Sequence, residues 1–140
     1  MDRRSLSKSC AVLLLLLPTL SGCGPSQEEE LLDEARATKI EFDAKALLQT
    51  AQLYSLMNNR LPQPDELKEY TATGDGEPLA KSLRDPWGNE YIYKIVGEEP
   101  VVLCHGEDGK EGGTGKAEDR AWVRKASGEI VELESERIGD

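Results

Sequence analysis

The sequence has few of the side chains on which most catalytic and metal sites depend. It contains a single histidine, His105, and three cysteines, Cys10, Cys23 and Cys104. Because Cys10 and Cys23 belong to the N-terminal segment, Cys104 has no partner in the remainder of the chain, and a disulfide framework is excluded. Cys104 ends the apolar run 101–104, so we expect it to be a buried, unreactive thiol.

A catalytic Cys–His pair is not expected from the neighbours Cys104 and His105. Adjacent residues of a strand point to opposite faces of the sheet, and the two side chains therefore cannot easily act together. The sequence also lacks a recognisable Ser/His/Asp set, metal-ligand spacing or phosphate-binding loop. We therefore expect a protein that is not an enzyme, without catalytic residues.

Basic charge is scarce as well. The chain has 17 Lys and Arg against 27 Asp and Glu, which gives a formal net charge of −10. Residues 1–22 hold three basic side chains and one acidic side chain, so the remainder carries −12. Such an acidic protein is repelled by phosphate backbones, and no nucleic-acid partner is expected. It is suited instead to divalent cations.

The sequence contains no long apolar segment, and its uninterrupted apolar run at residues 11–17 is short. The run follows Arg3, Arg4 and Lys8, and a basic head before a short apolar stretch is typical of a secretory signal. It is too short to span a bilayer as a permanent helix. The sequence therefore predicts export from the cytoplasm.

Residues 20–23, Leu-Ser-Gly-Cys, resemble the lipobox of bacterial lipoproteins, in which cleavage before the cysteine accompanies its attachment to lipid. The resemblance implies a lipoprotein signal peptide at 1–22, a membrane anchor on Cys23 and a short linker over 23–27. With Gly24 in the next position, it favours the outer membrane, facing the periplasm or the cell surface. An ordinary signal peptide with a chance cysteine is the alternative.

A long helix is predicted over residues 28–59, where no glycine or proline occurs. Ser26 and Glu29 have the spacing of a capping box at its start. We expect the half from Ala44 to Met57 to pack on the domain and the first half to project partly as a polar stalk, with a coiled coil as the alternative. The apolar residues at helical spacing are Leu32, Ala35, Phe42, Ala46, Leu53 and Met57.

The rest of the chain predicts short elements and turns. A helical turn is expected at 65–70 and a surface loop at 71–77. Alternating or apolar runs predict four strands, at 90–96, 101–104, 121–125 and 130–134. The predicted class is therefore α+β, with one long N-terminal helix on a small antiparallel sheet of three to four strands, in a domain covering 28–140.

Two stretches stand out between these elements. Asp85, Pro86, Trp87 and Gly88 predict a tight turn that starts the sheet, because Pro86 presets the backbone and Gly88 lets the chain reverse. The second stretch is residues 106–119, called the Gly-rich loop below, which combines five glycines with acidic side chains. Such glycine density is incompatible with helix or strand, so the loop must either be held in place by something else or be disordered.

Three segments together resemble the soluble part of the major, G-type pseudopilin of bacterial type II secretion systems. They are the helix end 53–62 (LYSLMNNRLP), the turn 83–91 (LRDPWGNEY) and the loop 106–115 (GEDGKEGGTG). The resemblance implies the pseudopilin fold for the domain. It also implies a function in secretion or pilus-like machinery, with proteins of that machinery as partners.

The resemblance further implies calcium at the Gly-rich loop. Asp108 and Asp119 match acidic positions of the family, and Ala117 stands where the family has a further Asp, so Glu118 is expected to substitute. Calcium takes six to eight oxygen ligands from carboxylates and carbonyls, which a Gly-rich loop can supply. A metal-free loop held by its own hydrogen bonds is the alternative.

The chain departs from the family at its start. A pseudopilin has a prepilin leader and about twenty apolar residues that pack in the filament, whereas this helix begins with Glu28 to Glu30 behind the lipobox. We therefore expect a pseudopilin-type domain displayed on a lipid, acting as a structural or interaction component of protein secretion. The alternative is a free-standing lipoprotein that reuses the domain to bind a ligand outside secretion.

Overall fold

The structure, a computed structural model, describes residues 26–73 and 84–134. They form one long helix, a second shorter helix and an antiparallel sheet in the order β1-β2-β3-β4, which confirms the predicted α+β class. The elements are α1 (Gln27–Asn58), α2 (Pro64–Thr73), β1 (Ile92–Val96), β2 (Glu99–Cys104), β3 (Arg120–Arg124) and β4 (Ile130–Leu133), with a 3₁₀ turn at Gly115–Ala117.

Helix α1 begins and ends one residue earlier than predicted. The capping box at its start is present, because the backbone N–H of Glu29 donates to Ser26 Oγ at 3.4 Å and the Ser26 N–H donates to Glu29 Oε2 at 3.3 Å. At the other end, Asn59 adopts the left-handed conformation, with φ of 53°. A left-handed residue directly after the last turn is a common helix termination, and asparagine tolerates it well.

The sheet turns one face towards α1. In register across the strands, Tyr93 pairs with Val102, and Val102 pairs with Trp122. These three side chains are buried in the core together with Ile40 and Leu47 of α1. Because side chains alternate along a strand, their sequence neighbours lie on the opposite face, where a second apolar cluster is formed by Val101, Leu103, Ala121 and Val123.

The buried face of α1 differs from the apolar stripe read from the sequence. Ile40, Ala44, Leu47 and Ala51, spaced four, three and four residues apart, are buried as one face of a helix must be. Most of the predicted stripe is instead exposed, and Phe42 is 68% accessible. The helix carries apolar residues on two opposite sides, so spacing alone did not identify the side that packs. The exposed members are Leu32, Ala35, Phe42, Leu53 and Met57.

One further expectation is confirmed in part and another is corrected. Residues 26–32 at the start of α1 are exposed throughout, whereas from Asp33 onwards the helix is in contact with the body of the domain, beginning with the ion pair to Lys116. Helix α2 continues to Thr73, so the loop predicted at 71–77 is wrong for its first three residues. Leu67 and Thr71 are buried, and this packing carries the helix beyond the predicted turn.

The described ranges contain no helix that is both long and apolar enough to cross a bilayer. The signal peptide, the lipid on Cys23 and most of the linker predicted from the sequence lie outside those ranges. The remainder of the predicted loop, residues 74–77, also lies outside them.

Candidate functional site: the turn, the Gly-rich loop and the cavity beside them

The turn before β1 is organised by the buried carboxylate of Asp85. Its Oδ1 accepts hydrogen bonds from the backbone N–H groups of Trp87 and Asn89, both at 2.9 Å. The Gly88 N–H donates to the Asp85 carbonyl at 3.0 Å, and Gly88 has φ of 95°, which favours glycine. The structure thus brings together Asp85, Pro86, Trp87 and Gly88 as a closed turn that positions Trp87 against the core.

Asn89 joins this turn to the Gly-rich loop. Its Nδ2 donates to the Gly106 carbonyl at 2.8 Å, across 17 residues of sequence. The loop itself is tight, because a Cβ added at Gly106 would lie 2.6 Å from the carbonyl oxygen of Lys116. At Gly113 it would lie 2.3 Å from the carbonyl oxygen of Ala117. These glycines are therefore required by close backbone approach.

Asp119 closes the loop from within. Its Oδ1 lies 2.9 Å from His105 Nδ1, and its Oδ2 accepts a hydrogen bond from the Gly112 N–H at 2.8 Å. The Asp119 side chain is 8% exposed, and both contacts are partly buried. One carboxylate thereby links the end of β2, the middle of the loop and the start of β3.

The other two predicted calcium ligands lie apart from this arrangement. Asp108 is exposed, and its Oδ1 accepts from the Lys110 N–H at 3.0 Å within the loop. Glu118 is also exposed, at the end of the 3₁₀ turn. Across residues 26–73 and 84–134 no three His, Cys, Asp or Glu side chains converge as a metal would need. As arranged, the carboxylates of Asp108, Glu118 and Asp119 do not form such a group.

The Gly-rich loop is also tied to helix α1. Lys116 Nζ lies 2.9 Å from Asp33 Oδ2, and Asp33 is bonded in turn to Arg36 at 3.1 Å. The hydrogen bond from Lys116 lowers the pKa of Asp33, with Arg36 acting in the same direction. This pair holds the first half of α1 against the loop and joins two elements that are distant in sequence.

A cavity of about 320 Å³ lies between α1, the turn and the Gly-rich loop, and most of its surface is apolar. Trp87 lines it, and the indole Nε1 of Trp87 is buried with no hydrogen-bond partner among the described residues. The lining residues are Asp33, Ala37, Ile40, Trp87, Cys104, Gly106, Gly115, Lys116, Glu118 and Arg120.

The single described cysteine belongs to this cavity wall. Cys104 is 2% exposed, and its Sγ lies 3.5 Å from Asp85 Oδ2. Burial raises the pKa of Cys104 to about 12, and the nearby Asp85 carboxylate acts in the same direction. Such a thiol is protonated at neutral pH and is a poor nucleophile. Its neighbour His105 has a different partner, Asp119, as expected for adjacent residues at a strand end.

Three of these contacts were not predicted from the sequence. His105 was assigned no role, Asn89 was not recognised as the link to the loop, and the Asp33–Lys116 pair was not foreseen. The signal for Asn89 is its position directly after the Asp-Pro-Trp-Gly turn. For His105 and Lys116 the sequence carries no signal, because their partners are 14 and 83 residues away.

Comparison with known proteins adds an independent line of argument. Residues 29–122 match the profile of the family described as type II secretion system, protein G. The chain is 31% identical to the type II secretion system core protein G of Vibrio cholerae over 99 residues, which cover 62% of this chain and 68% of that protein. It is 32% identical to the protein of the same description from Pseudomonas aeruginosa over 116 residues, 74% of this chain and 82% of that protein.

Proposed function

This chain belongs to the family of the type II secretion system protein G, and on that premise we propose that it is a non-enzymatic, lipid-anchored component of a type II secretion or pilus-like machine. The observation that carries the proposal is the extent of the family match. Residues 29–122 include nearly all of α1, the turn, β1, β2, the Gly-rich loop and the start of β3. The resemblance therefore extends over most of the scaffold and is not confined to one motif.

The outer side of α1 supports a structural or interaction role. Leu31, Phe42 and Leu53 follow one another at intervals of eleven residues and are 66%, 68% and 45% exposed. Eleven residues are about three helical turns, so the three side chains lie on one line along the helix, opposite the face that packs on the sheet. Exposed apolar side chains in line are suited to contact with another protein.

Anchoring through Cys23 belongs to the same proposal. It rests on the lipobox and on the apolar run before it, and it places the domain on the envelope, at the outer membrane and facing the periplasm or the cell surface. The excess of acidic charge suits this setting and is unfavourable for nucleic acid.

Calcium at the Gly-rich loop stays a proposal that rests on the resemblance and on the oxygen donors of Asp108, Glu118 and Asp119. Binding would require these carboxylates to converge and Asp119 to share oxygens now bonded to His105 and Gly112. No part of the proposed role depends on the ion.

The experiment that tests the role is photo-cross-linking in cells of the source organism. A benzophenone amino acid replaces Phe42 on the outer side of α1, and the control replaces Ser127 in the exposed turn between β3 and β4. We expect Phe42 to capture proteins of the secretion or pilus-like machinery and Ser127 not to capture them. Capture of unrelated proteins alone from Phe42 would overturn the proposal.

The cavity beside Trp87 favours a second candidate, a binding lipoprotein that reuses the domain outside secretion. Most of the cavity surface is apolar, which is typical of ligand sites. Deletion of the gene separates the two functions. Lost secretion supports the first candidate, and intact secretion with a lost ligand-dependent phenotype supports the second.

A further inference from the structure

The exposed apolar residues on the outer side of α1 are arranged symmetrically about Phe42. Leu31 lies eleven residues before Phe42 and Leu53 lies eleven residues after it, and all three side chains are exposed. Each leucine is therefore about 16 Å from Phe42 along the helix axis. Turning the helix end over end about Phe42 brings each leucine to the position of the other.

The charges near Phe42 follow the same symmetry. Residues 39–45 read Lys-Ile-Glu-Phe-Asp-Ala-Lys, so a lysine lies three residues from Phe42 on each side and an acidic residue lies next to it on each side. The same end-over-end rotation places every charge on a charge of the same sign. A two-fold interface between identical chains requires such a pattern, because each of its contacts occurs twice with the roles exchanged.

Helical spacing puts these charges on the two flanks of the outer side. Lys39 is paired with Asp43 on one flank, and Lys45 Nζ lies 2.6 Å from Glu41 Oε1 on the other. The side chains of Lys45 and Glu41 are 44% and 46% exposed, and that of Lys39 is 47% exposed. Asp43 is less accessible, at 15%, and also accepts a hydrogen bond from the Tyr91 hydroxyl at 3.1 Å. The flank with Lys45 and Glu41 is therefore the more open of the two.

We propose that the outer side of α1 binds a second copy of this chain as an antiparallel helix pair, with the two-fold axis at Phe42. Leu31 then faces Leu53 of the partner subunit, and the two Phe42 rings meet at the axis, where aromatic pairs add to the stability of a contact. Lys45 lies about 3 Å along the axis from Glu41 of the partner subunit, compared with about 6 Å from its own Glu41. Each lysine thus gains a second carboxylate.

The antiparallel direction follows from the start of α1. A parallel pair would keep the contacts around Phe42, but it would place Glu28, Glu29 and Glu30 of the two chains side by side, and like charges across an interface are strongly unfavourable. The antiparallel pair puts the two acidic ends far apart. The sheets do not obstruct it, because each sheet packs on the opposite side of its own helix, around Ile40.

The test is thiol cross-linking of the purified full chain with a short bis-maleimide. Cys10→Ser and Cys23→Ser first remove two of the three native thiols, which also makes the result independent of a lipid. The third, Cys104, is 2% exposed and its pKa is raised to about 12, so it should not react. Single reporter cysteines are then added to this background.

Ala35 and Gln49 are the reporter positions, because both are exposed and lie seven residues before and after Phe42. Ala35→Cys and Gln49→Cys leave the apolar contacts intact. An equal mixture of the two variants should cross-link, since the two positions face each other in the antiparallel pair. Each variant alone should not, because its two copies of the thiol are about 21 Å apart along the axis. Ser127→Cys, in the exposed turn between β3 and β4, is the matched control and should not cross-link.

Sedimentation velocity of the unmodified sequence and of charge variants tests the cause of the association. Lys45→Glu replaces attraction by repulsion across the interface and should weaken self-association at least about tenfold. Adding Glu41→Lys to it should restore the association, because the exchange of both charges restores the symmetric pattern of attraction. Phe42→Asp should abolish the association. All three positions are on the accessible side of α1, so circular dichroism should show an unchanged fold.

The proposal is overturned if the purified chain stays monomeric at every concentration, if Ala35→Cys or Gln49→Cys cross-links alone as in a parallel pair, or if Lys45→Glu associates as well as the unmodified sequence. The inference goes beyond the role in secretion and does not depend on it. Because these assays use purified protein, their failure leaves the cross-linking result in cells untouched. In cells, a second copy captured from Phe42 is recognised by a product of twice the chain mass.

Discussion

The Oδ1 of Asp119 lies 2.9 Å from the Nδ1 of His105, across the whole length of the Gly-rich loop. The second oxygen of the same carboxylate holds the Gly112 N–H at 2.8 Å. Three parts of the loop are therefore fixed by one buried side chain. These contacts stabilise one conformation of the loop, which its glycine-rich sequence alone would not favour.

Asp119→Ala should lower the free energy of unfolding by about 1–3 kcal/mol, because it leaves the His105 ring and the Gly112 N–H without their acceptor in a partly buried site. Urea denaturation followed by circular dichroism measures the change. The matched variant is Asp108→Ala, which removes an exposed carboxylate bonded only locally, and it should cost no more than about 0.5 kcal/mol. Equal losses in the two variants would contradict a closing role for Asp119.

Calcium is tested by melting the wild-type protein in calcium and in chelator. An ion present at a hundred times its dissociation constant would stabilise the fold by about 2.7 kcal/mol. The calcium proposal predicts a higher melting temperature in calcium than in chelator, and equal melting in both buffers would overturn it. A calcium-dependent rise that is lost in Asp108→Ala and Asp119→Ala would instead establish the site implied by the resemblance.

Adjacent glycines of the loop allow a comparison of backbone strain with steric overlap. Gly112 and Gly113 have φ of 95° and 90°, but only Gly113 has a close neighbour, the carbonyl of Ala117. Gly112→Ala should cost about 1–2 kcal/mol, the penalty for a left-handed alanine. Gly113→Ala should cost more, because the backbone of the loop must also move. Chemical denaturation of both variants checks the order, and a Gly112→Ala variant that is the less stable of the two would contradict the loop geometry.

The sequence was informative where structure is locally encoded. The ends of α1 follow from the capping pair Ser26 and Glu29 and from the absence of glycine and proline, and both lie within one residue of the prediction. The strands follow from alternation and apolar runs. These features depend on neighbours within a few residues, for which a pattern in the chain is sufficient.

The sequence was less informative about contacts between residues that are far apart along the chain. The packed face of α1 was misassigned because Phe42 and Ile40 are equally apolar, and only the approach of the sheet decides which of them is buried. The same limit applies to the candidate site. The contact between His105 and Asp119 depends on the path of the Gly-rich loop, and the pairing of Asp33 with Lys116 depends on how the loop lies on α1.

The ion pair between Arg60, in the segment that joins the two helices, and Glu66 of α2 should depend on pH. Arg60 donates two hydrogen bonds to Glu66, at 2.7 and 2.5 Å, and these contacts lower the pKa of Glu66 from its ordinary 4.5 to about 2. Because the folded pKa is the lower one, the contribution to stability is complete above pH 4.5 and is lost as pH falls towards 2. A ¹³C NMR titration of the Glu66 carboxyl should show the depressed midpoint.

Two variants of Arg60 and added salt test the cause of the shift in the pKa of Glu66. Arg60→Gln should return the Glu66 midpoint towards 4.5, and Arg60→Lys should return it only in part, because lysine keeps the charge but not the two-pronged geometry. The pair is exposed, so 1 M salt, with a screening length of about 3 Å, should also raise the midpoint. An unshifted midpoint in the wild type would show that the pair does not form in solution.

The last prediction concerns the lipid anchor on Cys23. Growth with an alkyne fatty acid, followed by a fluorescent tag, should label the wild-type chain if a lipid is attached at the lipobox cysteine. Cys23→Ser should abolish the label, whereas Cys10→Ser, which removes the cysteine directly before the apolar run of the signal, should retain it. Labelling that survives Cys23→Ser would exclude this anchor. The domain would then have to be held at the envelope by its protein contacts, including those of the outer side of α1 around Phe42.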